Sequence, residues 1–182
     1  MEPQGWKISL RKLGEEIPHN KARVRFDLPW ISISSIAEQY YCELKVEHEY
    51  KLGKVPTVAK EEGVKLHDEI LSMKPTTLEN LISDIEKRTF YICSFPVYAE
   101  IEDLVVAGKP DAILFINSKP SHLIELKTTA GDVSKLWRDQ AVQAKVYALA
   151  LDSMGFDCGD LQLCVVKVSR DVDDEVRKYI LK

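Results

Sequence analysis

Three segments rich in β-branched and aromatic residues follow one another through the middle of the chain. They are FPVYAEIED, LVVAGKPDAILFI and HLIELKTT, at positions 95–103, 104–116 and 122–129. This composition favours extended strands, and the turn-like NSKPS between the last two predicts that those two pair as antiparallel neighbours. The centre of the fold is therefore expected to be an antiparallel meander.

Two helical patterns precede this meander. Ser35 with Glu38 fits a capping box that opens a short helix ending at Tyr41, and Thr76 with Glu79 fits another that opens LENLISDIEKR. The predicted fold therefore has helices packed on a sheet.

Further elements are expected on both sides of the meander. Helices are predicted at 61–73, 134–154 and 171–182, and the segment LQLCVVKV is predicted to be a buried strand. Gly155 is placed to end the second of these helices. The expected class is α/β (α+β), with a mixed central β-sheet flanked by helices.

Length and composition fit one globular domain over residues 1–182. The chain has 182 residues, of which 45% are hydrophobic and 30% charged. Its apolar runs fall short of the ~20 residues that a membrane helix needs. The first residues lack the apolar core of a secretory signal, so we expect no membrane partner and a cytoplasmic protein.

The net charge of −4 disfavours a protein that coats nucleic acid through bulk electrostatics, although a local basic path is compatible with it. The four cysteines contain no CxxC pair, which favours neither a disulfide framework nor a zinc site. Two of them, Cys93 and Cys164, are expected to be small core residues.

The pair Glu125 and Lys127 carries the first indication of chemistry. Residues two apart on a strand project from the same face, so a carboxylate and an ammonium lie side by side. The carboxylate can ligate a hard divalent cation, and the lysine can orient or deprotonate a water and stabilise a phosphate. Taken alone, such a pair is more often a solvated salt bridge.

Asp111 follows Gly108, Lys109 and Pro110 in the neighbouring strand segment. The glycine and proline predict a bulge or kink that aims Asp111 towards Glu125. Two adjacent carboxylates repel unless a cation lies between them, which indicates a metal site. The alternative is a turn aspartate that hydrogen-bonds to its own backbone.

Three further side chains could complete this site. His67 on a predicted helix could add an imidazole ligand, which Mn²⁺ tolerates better than Mg²⁺. Gln143 and Tyr147 have the i, i+4 spacing that places both on one helix face. Read singly, His67 is more often structural and Tyr147 a half-buried core aromatic.

An ordered set of four motifs resembles a known family. The set is Gly63-x3-His67, Gly108-Lys-Pro-Asp111, Glu125-Leu-Lys127 and Gln143-x3-Tyr147. It resembles the RecB-like branch of the PD-(D/E)XK nucleases, and ISSIAEQYYCELKVEHEY is similar to the N-terminal segment of CRISPR-associated exonucleases of the Cas-four type. The resemblance implies a restriction-endonuclease-like core and metal-dependent hydrolysis of DNA, with exonuclease action on single-stranded ends favoured.

The resemblance also implies roles for single residues. Mg²⁺ or Mn²⁺ would be held by His67, Asp111, Glu125 and the carbonyl of Leu126, with Lys127 as the catalytic lysine. Gln143 and Tyr147 match the motif that supports catalysis and DNA binding in this branch. Glu100 is implied as an acid behind the metal ligands or on the DNA side.

The family commonly holds an iron–sulfur cluster through one early cysteine and three near the C-terminus. Only Cys42 lies where such a ligand is expected, while Cys158 and Cys164 have no third partner nearby. We therefore predict no iron–sulfur cluster in this chain.

DNA is the expected partner, and two groups of residues could contact it. A phosphate track, or alternatively a solvated surface, is indicated by Lys7, Arg11, Lys12, Lys21, Arg23 and Arg25. Stacking on bases, or alternatively packing in the core, is indicated for Trp137 and for Tyr40 or Tyr41. Two other functions remain open: a structure-selective or restriction-type endonuclease, and a non-catalytic DNA-binding subunit of a CRISPR adaptation complex.

Overall fold

Helices and strands alternate along the chain in the computed structural model, which describes residues 5–19, 24, 27–53, 61 and 76–169. The described helices are α1 (Gly5–Glu15), α2 (Ile33–Tyr41), α3 (Glu43–Leu52), α4 (Leu78–Lys87) and α5 (Arg138–Ser153), with a 3-10 turn at Ile17–His19. The described strands are β1 (Ile31–Ser32), β2 (Phe90–Cys93), β3 (Val97–Ile101), β4 (Leu104–Gly108), β5 (Ala112–Ile116), β6 (Lys119–Thr129) and β7 (Gln162–Ser169).

The strands form two mixed sheets. The first has the order β1-β4-β3, with β1 parallel and β3 antiparallel to β4. The second has the order β2-β5-β6-β7, with β5 antiparallel and β7 parallel to β6. Helices flank these sheets, which confirms the predicted α+β class.

A single central sheet was predicted, and this detail is wrong. The chain leaves the first sheet after β4 and enters the second at β5, so LVVAGKPDAILFI is two strands joined by residues 109–111. The break falls at Pro110, which has no backbone N–H to donate to a strand ladder and is fully buried. The separation places the turn before Asp111 between the two sheets.

Neither α2 nor α4 begins at its predicted capping residue. Ser32 is the N-cap of α2, while Ser35 lies inside that helix. Thr77, not Thr76, caps α4, and its hydroxyl accepts a hydrogen bond from Asn80 N at 3.3 Å. In both cases another serine or threonine lies nearby, so spacing alone does not select the residue at the N-cap, and the Ser32 side chain makes no capping hydrogen bond.

The end of α5 was predicted more accurately than its start. Gly155 follows the helix with φ +90°, and a Cβ there would lie 3.2 Å from the backbone nitrogen of Trp6. The helix begins at Arg138, four residues later than predicted, because residues 130–137 form a loop.

The strand β7 was predicted to be buried, and this is wrong. It is the last strand in the order of its sheet among the described residues, and Leu163 and Val166 are exposed. Cys93 is buried as predicted, whereas Cys164 on β7 is only partly buried. The helix predicted at 61–73 lies outside the described residues apart from Glu61, and the one predicted at 171–182 lies outside them entirely.

Aromatic rings link helix α1 to the sheets in the core. Trp6 stacks on Phe156 with ring centroids 5.2 Å apart, and Phe115 contacts Phe156 at 5.5 Å. The same core contains Ala150 and Leu151 of α5, so this helix is fixed against the strands. None of the described helices is both long enough and apolar enough to cross a membrane.

Candidate active site

Asp111 lies where the two sheets meet. It directly precedes β5, whose first residue Ala112 pairs with Ile124 of β6, so Asp111 is beside Glu125 in the antiparallel register. Asp111 Oδ2 accepts a hydrogen bond from the backbone N–H of Leu126 at 2.6 Å. The carboxylate is thus held against the strand that carries the Glu-Leu-Lys motif.

Two side chains hold the turn before Asp111. The hydroxyl of Tyr147 donates to the carbonyl of Lys109 at 3.0 Å, and the hydroxyl of Ser94 donates to the carbonyl of Pro110 at 2.7 Å. Both carbonyls of the turn are therefore anchored, one from α5 and one from the loop after β2. The role of Ser94 could not be predicted from the sequence, because no motif around Ser94 indicates a contact with Pro110.

Gly108 allows Tyr147 to approach this turn. A Cβ at Gly108 would lie 3.0 Å from both Ile33 Cβ and Tyr147 Cε1, and 3.3 Å from the Tyr147 hydroxyl oxygen. These distances are tighter than ordinary van der Waals contacts. A glycine is required at this position by close packing rather than by backbone conformation.

Glu125 is a nearly inaccessible carboxylate. Its side chain is 1% exposed, Oε2 accepts from Lys127 Nζ at 3.1 Å, and Oε1 has no hydrogen-bond partner among the described residues. Burial raises the pKa of Glu125 to about 7; the Lys127 ammonium opposes this rise and the Asp111 charge adds to it. A buried carboxylate with an unsatisfied oxygen is costly, so this position favours a bound cation.

Lys127 is held between two acceptors. Its ammonium donates to Gln143 Oε1 at 2.7 Å as well as to Glu125. Gln143 lies one helical turn before Tyr147 on α5, so one face of this helix contacts both the lysine and the turn. Burial raises the pKa of Tyr147, and the nearby Glu125 charge raises it further, so the phenol stays protonated and can donate.

The structure brings together the residues of three of the four sequence motifs. The contacts above join Asp111, Glu125, Lys127, Gln143 and Tyr147 in one cluster. The fourth motif residue, the expected ligand His67, lies outside the described residues. Tyr147 is buried, and its hydroxyl contacts the turn rather than the surface.

Glu100 does not join this cluster. It lies in β3 opposite Val105, and its Oε1 accepts from Lys12 Nζ at 2.5 Å. That ion pair raises the pKa of Lys12 through the hydrogen bond from its ammonium to Glu100. The role expected for Glu100 beside the metal or the DNA has no support in this placement.

The N-terminal basic residues are mostly paired where they are described. Lys7 forms an ion pair with Glu86, and Lys12 pairs with Glu100. Three of the others, Lys21, Arg23 and Arg25, lie outside the described residues. The aromatic residues Tyr40, Tyr41 and Trp137 are all exposed, so the core alternative for them is wrong.

The donor set fits a hard divalent cation. Asp111 and Glu125 would supply carboxylate oxygens, and Leu126, between Glu125 and Lys127, would supply a main-chain carbonyl. Within the described ranges no three His, Cys, Asp or Glu side chains converge as a metal-binding group. The third side chain predicted for that role is His67, outside those ranges.

Comparisons with known proteins add little to this geometry. A scan against protein-family models finds no match for the chain, and a search among curated proteins finds none either. Among solved structures, the crystal structure of SSO0001 is similar over 97% of this chain and 80% of that chain, with 16% sequence identity and a TM-score of 0.42. At that identity and TM-score the likeness carries no information about the chemistry of this chain.

Proposed function

We propose that this protein is a metal-dependent deoxyribonuclease that hydrolyses phosphodiester bonds as an exonuclease at single-stranded DNA ends. The observation that carries the proposal is Glu125 Oε1, a buried carboxylate oxygen without a hydrogen-bond partner in the described residues, beside Asp111 and Lys127. The four-motif resemblance adds the substrate class and the preference for ends.

The metal ligands are proposed to be Asp111, Glu125, the Leu126 carbonyl and His67. Bound there, Mg²⁺ or Mn²⁺ would lower the pKa of a water and withdraw charge from a phosphate oxygen. A cation next to Glu125 would also offset the repulsion between its charge and that of Asp111. The buried position is consistent with a site that excludes bulk water and strengthens electrostatic interactions.

Lys127 is proposed to orient the attacking water and to stabilise charge on the phosphate. Its ammonium is positioned by Gln143 and Glu125, so little reorganisation of these groups is needed during reaction. Tyr147 is proposed to position Asp111 indirectly. Its hydroxyl donates a hydrogen bond to the Lys109 carbonyl and so holds the turn that precedes Asp111.

The direct test is cleavage of end-labelled single- and double-stranded DNA with Mg²⁺, Mn²⁺ or chelator. We expect degradation only with metal, and faster on single strands. A closed circular substrate run in parallel distinguishes the alternatives, since nicking of circles would identify an endonuclease. Metal-independent binding without any cleavage would replace the proposal with a DNA-binding subunit.

A further inference from the structure

The loop at residues 130–137 connects the two elements that form the candidate site. It leaves β6 after Lys127 and enters α5 before Gln143. Lys167 Nζ donates to the carbonyl of Lys135 in this loop, and Lys167 pairs in register with Lys127 in the parallel β6–β7 ladder. Neighbouring strands lie about 4.8 Å apart, so the loop is attached to the strand beside the one that carries the candidate catalytic lysine.

Trp137 is the most prominent side chain of this loop. It is the N-cap residue of α5 and remains 49% exposed. It precedes Gln143 by six residues, which corresponds to about 9 Å along the helix axis. A large aromatic ring thus lies exposed at the start of the helix that carries Gln143.

The surroundings of Trp137 combine positive charge with apolar surface. Lys135 Nζ lies 3.8 Å from the ring centroid, and Leu136 and Val133 are also exposed. The loop is fixed by the Lys167 contact and by an Asx-type turn in which Ser134 N and Oγ donate to Asp132 Oδ1 at 2.8 and 2.6 Å. A fixed aromatic ring beside a cation is the combination with which proteins bind single-stranded nucleic acids, by base stacking and phosphate attraction.

We infer that Trp137 and Lys135 form a stacking platform for one base of a single-stranded DNA substrate. This inference rests on the proposed nuclease function. A paired base inside a duplex cannot stack on the ring, so the platform gives the site a preference for single strands.

The test measures binding without cleavage. Fluorescence anisotropy of a labelled single-stranded oligonucleotide, in chelator, is recorded for wild type, Trp137→Ala, Trp137→Tyr and Phe90→Ala. Phe90 serves as the matched control, because it is 68% exposed on β2. In the sheet β2-β5-β6-β7 this strand lies at the end opposite β7, the strand that contacts the Trp137 loop. We expect Trp137→Ala to weaken binding about tenfold or more, because one stacked base contributes ~1–3 kcal/mol, and the tyrosine variant to retain most of the affinity.

A second arm moves a single abasic site along the oligonucleotide. At one position the abasic site should weaken binding of the oligonucleotide to wild type about tenfold. At that same position it should leave binding of the oligonucleotide to Trp137→Ala unchanged. Equal affinity of wild type and Trp137→Ala, or equal sensitivity of both to every abasic position, would overturn the platform. If wild type still cleaves DNA in that case, the nuclease proposal stands without it; if wild type neither binds nor cleaves, both are wrong.

Discussion

Asp111 and Leu126 are joined by a 2.6 Å hydrogen bond from the backbone N–H of Leu126 to Asp111 Oδ2. This bond fixes the Asp111 carboxylate beside Glu125, which precedes Leu126 on β6. The side chain of Glu125 is buried. Two neighbouring carboxylates, one of them buried, are unfavourable in the absence of positive charge. The ammonium of Lys127 supplies part of that charge, and the proposed cation supplies the rest.

Stability of the metal-free protein should decrease as pH rises, because of Glu125. The pKa of this group is about 7 in the folded protein against an ordinary value of 4.5. A raised folded-state pKa means that the stabilising contribution is complete below about pH 4.5 and is lost as pH rises through about 7. We expect a loss of about 3 kcal/mol in the free energy of unfolding across this window.

Urea unfolding in chelator at several pH values between 5 and 8 measures this loss. Glu125→Gln serves as the comparison, because the amide keeps the shape and cannot ionise. The variant should lack most of the pH dependence and should be more stable than wild type at pH 8. Identical pH profiles for the two proteins would show that Glu125 is not the titrating group.

Replacement of Lys127 should remove catalysis. Lys127→Ala is expected to lower the rate of metal-dependent DNA cleavage by about 10²- to 10⁴-fold. The reason is that the variant lacks the ammonium group that contacts both Glu125 and Gln143. Lys119→Ala is the matched control, since Lys119 begins the same strand and pairs with Asp157 at the surface. Single-turnover rates should distinguish the two; comparable losses in both variants would argue against a catalytic lysine at 127.

The Ser94 hydroxyl should act on the metal site through the turn. Ser94→Ala leaves the Pro110 carbonyl without its donor and is expected to cost about 1–3 kcal/mol of stability. Because the turn presents Asp111, the variant should also need several-fold more Mn²⁺ for half-maximal cleavage, and Ser94→Thr should restore most of the affinity. Loss of stability with an unchanged Mn²⁺ requirement would mean that Ser94 is structural only.

Gly108 should not tolerate a side chain. In Gly108→Ala the new Cβ would press against Ile33 and Tyr147, so a cost of about 1–3 kcal/mol and a displaced Lys109–Tyr147 contact are expected. Gly14 in α1 has no heavy atom within 4 Å of a Cβ position, so Gly14→Ala should leave stability unchanged or raise it by about 0.5–1 kcal/mol. Thermal unfolding of both variants tests the contrast, and similar melting temperatures would contradict it.

The proximity of Asp111 and Glu125 could be predicted because it follows from local pairing. Two strand segments joined by a short turn are antiparallel neighbours, and the pleat then decides which side chains share a face. The Gln143 and Tyr147 spacing similarly follows from helix geometry. Both relations depend on the number of residues between the side chains, which can be read from the amino-acid sequence.

Long-range relations could not be predicted in this way. The division into two sheets depends on which strands pair across the fold, and the Ser94 contact joins a loop after β2 to a turn sixteen residues later. β2 and α1 also went unpredicted, since each is stabilised by partners distant in sequence, such as β5 for β2 and Phe156 for Trp6 of α1. The late start of α5, which leaves Trp137 at the N-cap position, is likewise not revealed by composition.

The measurement that tests the metal site most directly is a calorimetric titration of the protein with Mn²⁺ in the absence of DNA. Wild type should bind the ion saturably, whereas Asp111→Asn and Glu125→Gln should each bind at least about tenfold more weakly. Lys119→Ala should bind as wild type does. Equal Mn²⁺ affinity in wild type and both carboxylate variants would contradict a cation held between Asp111 and Glu125.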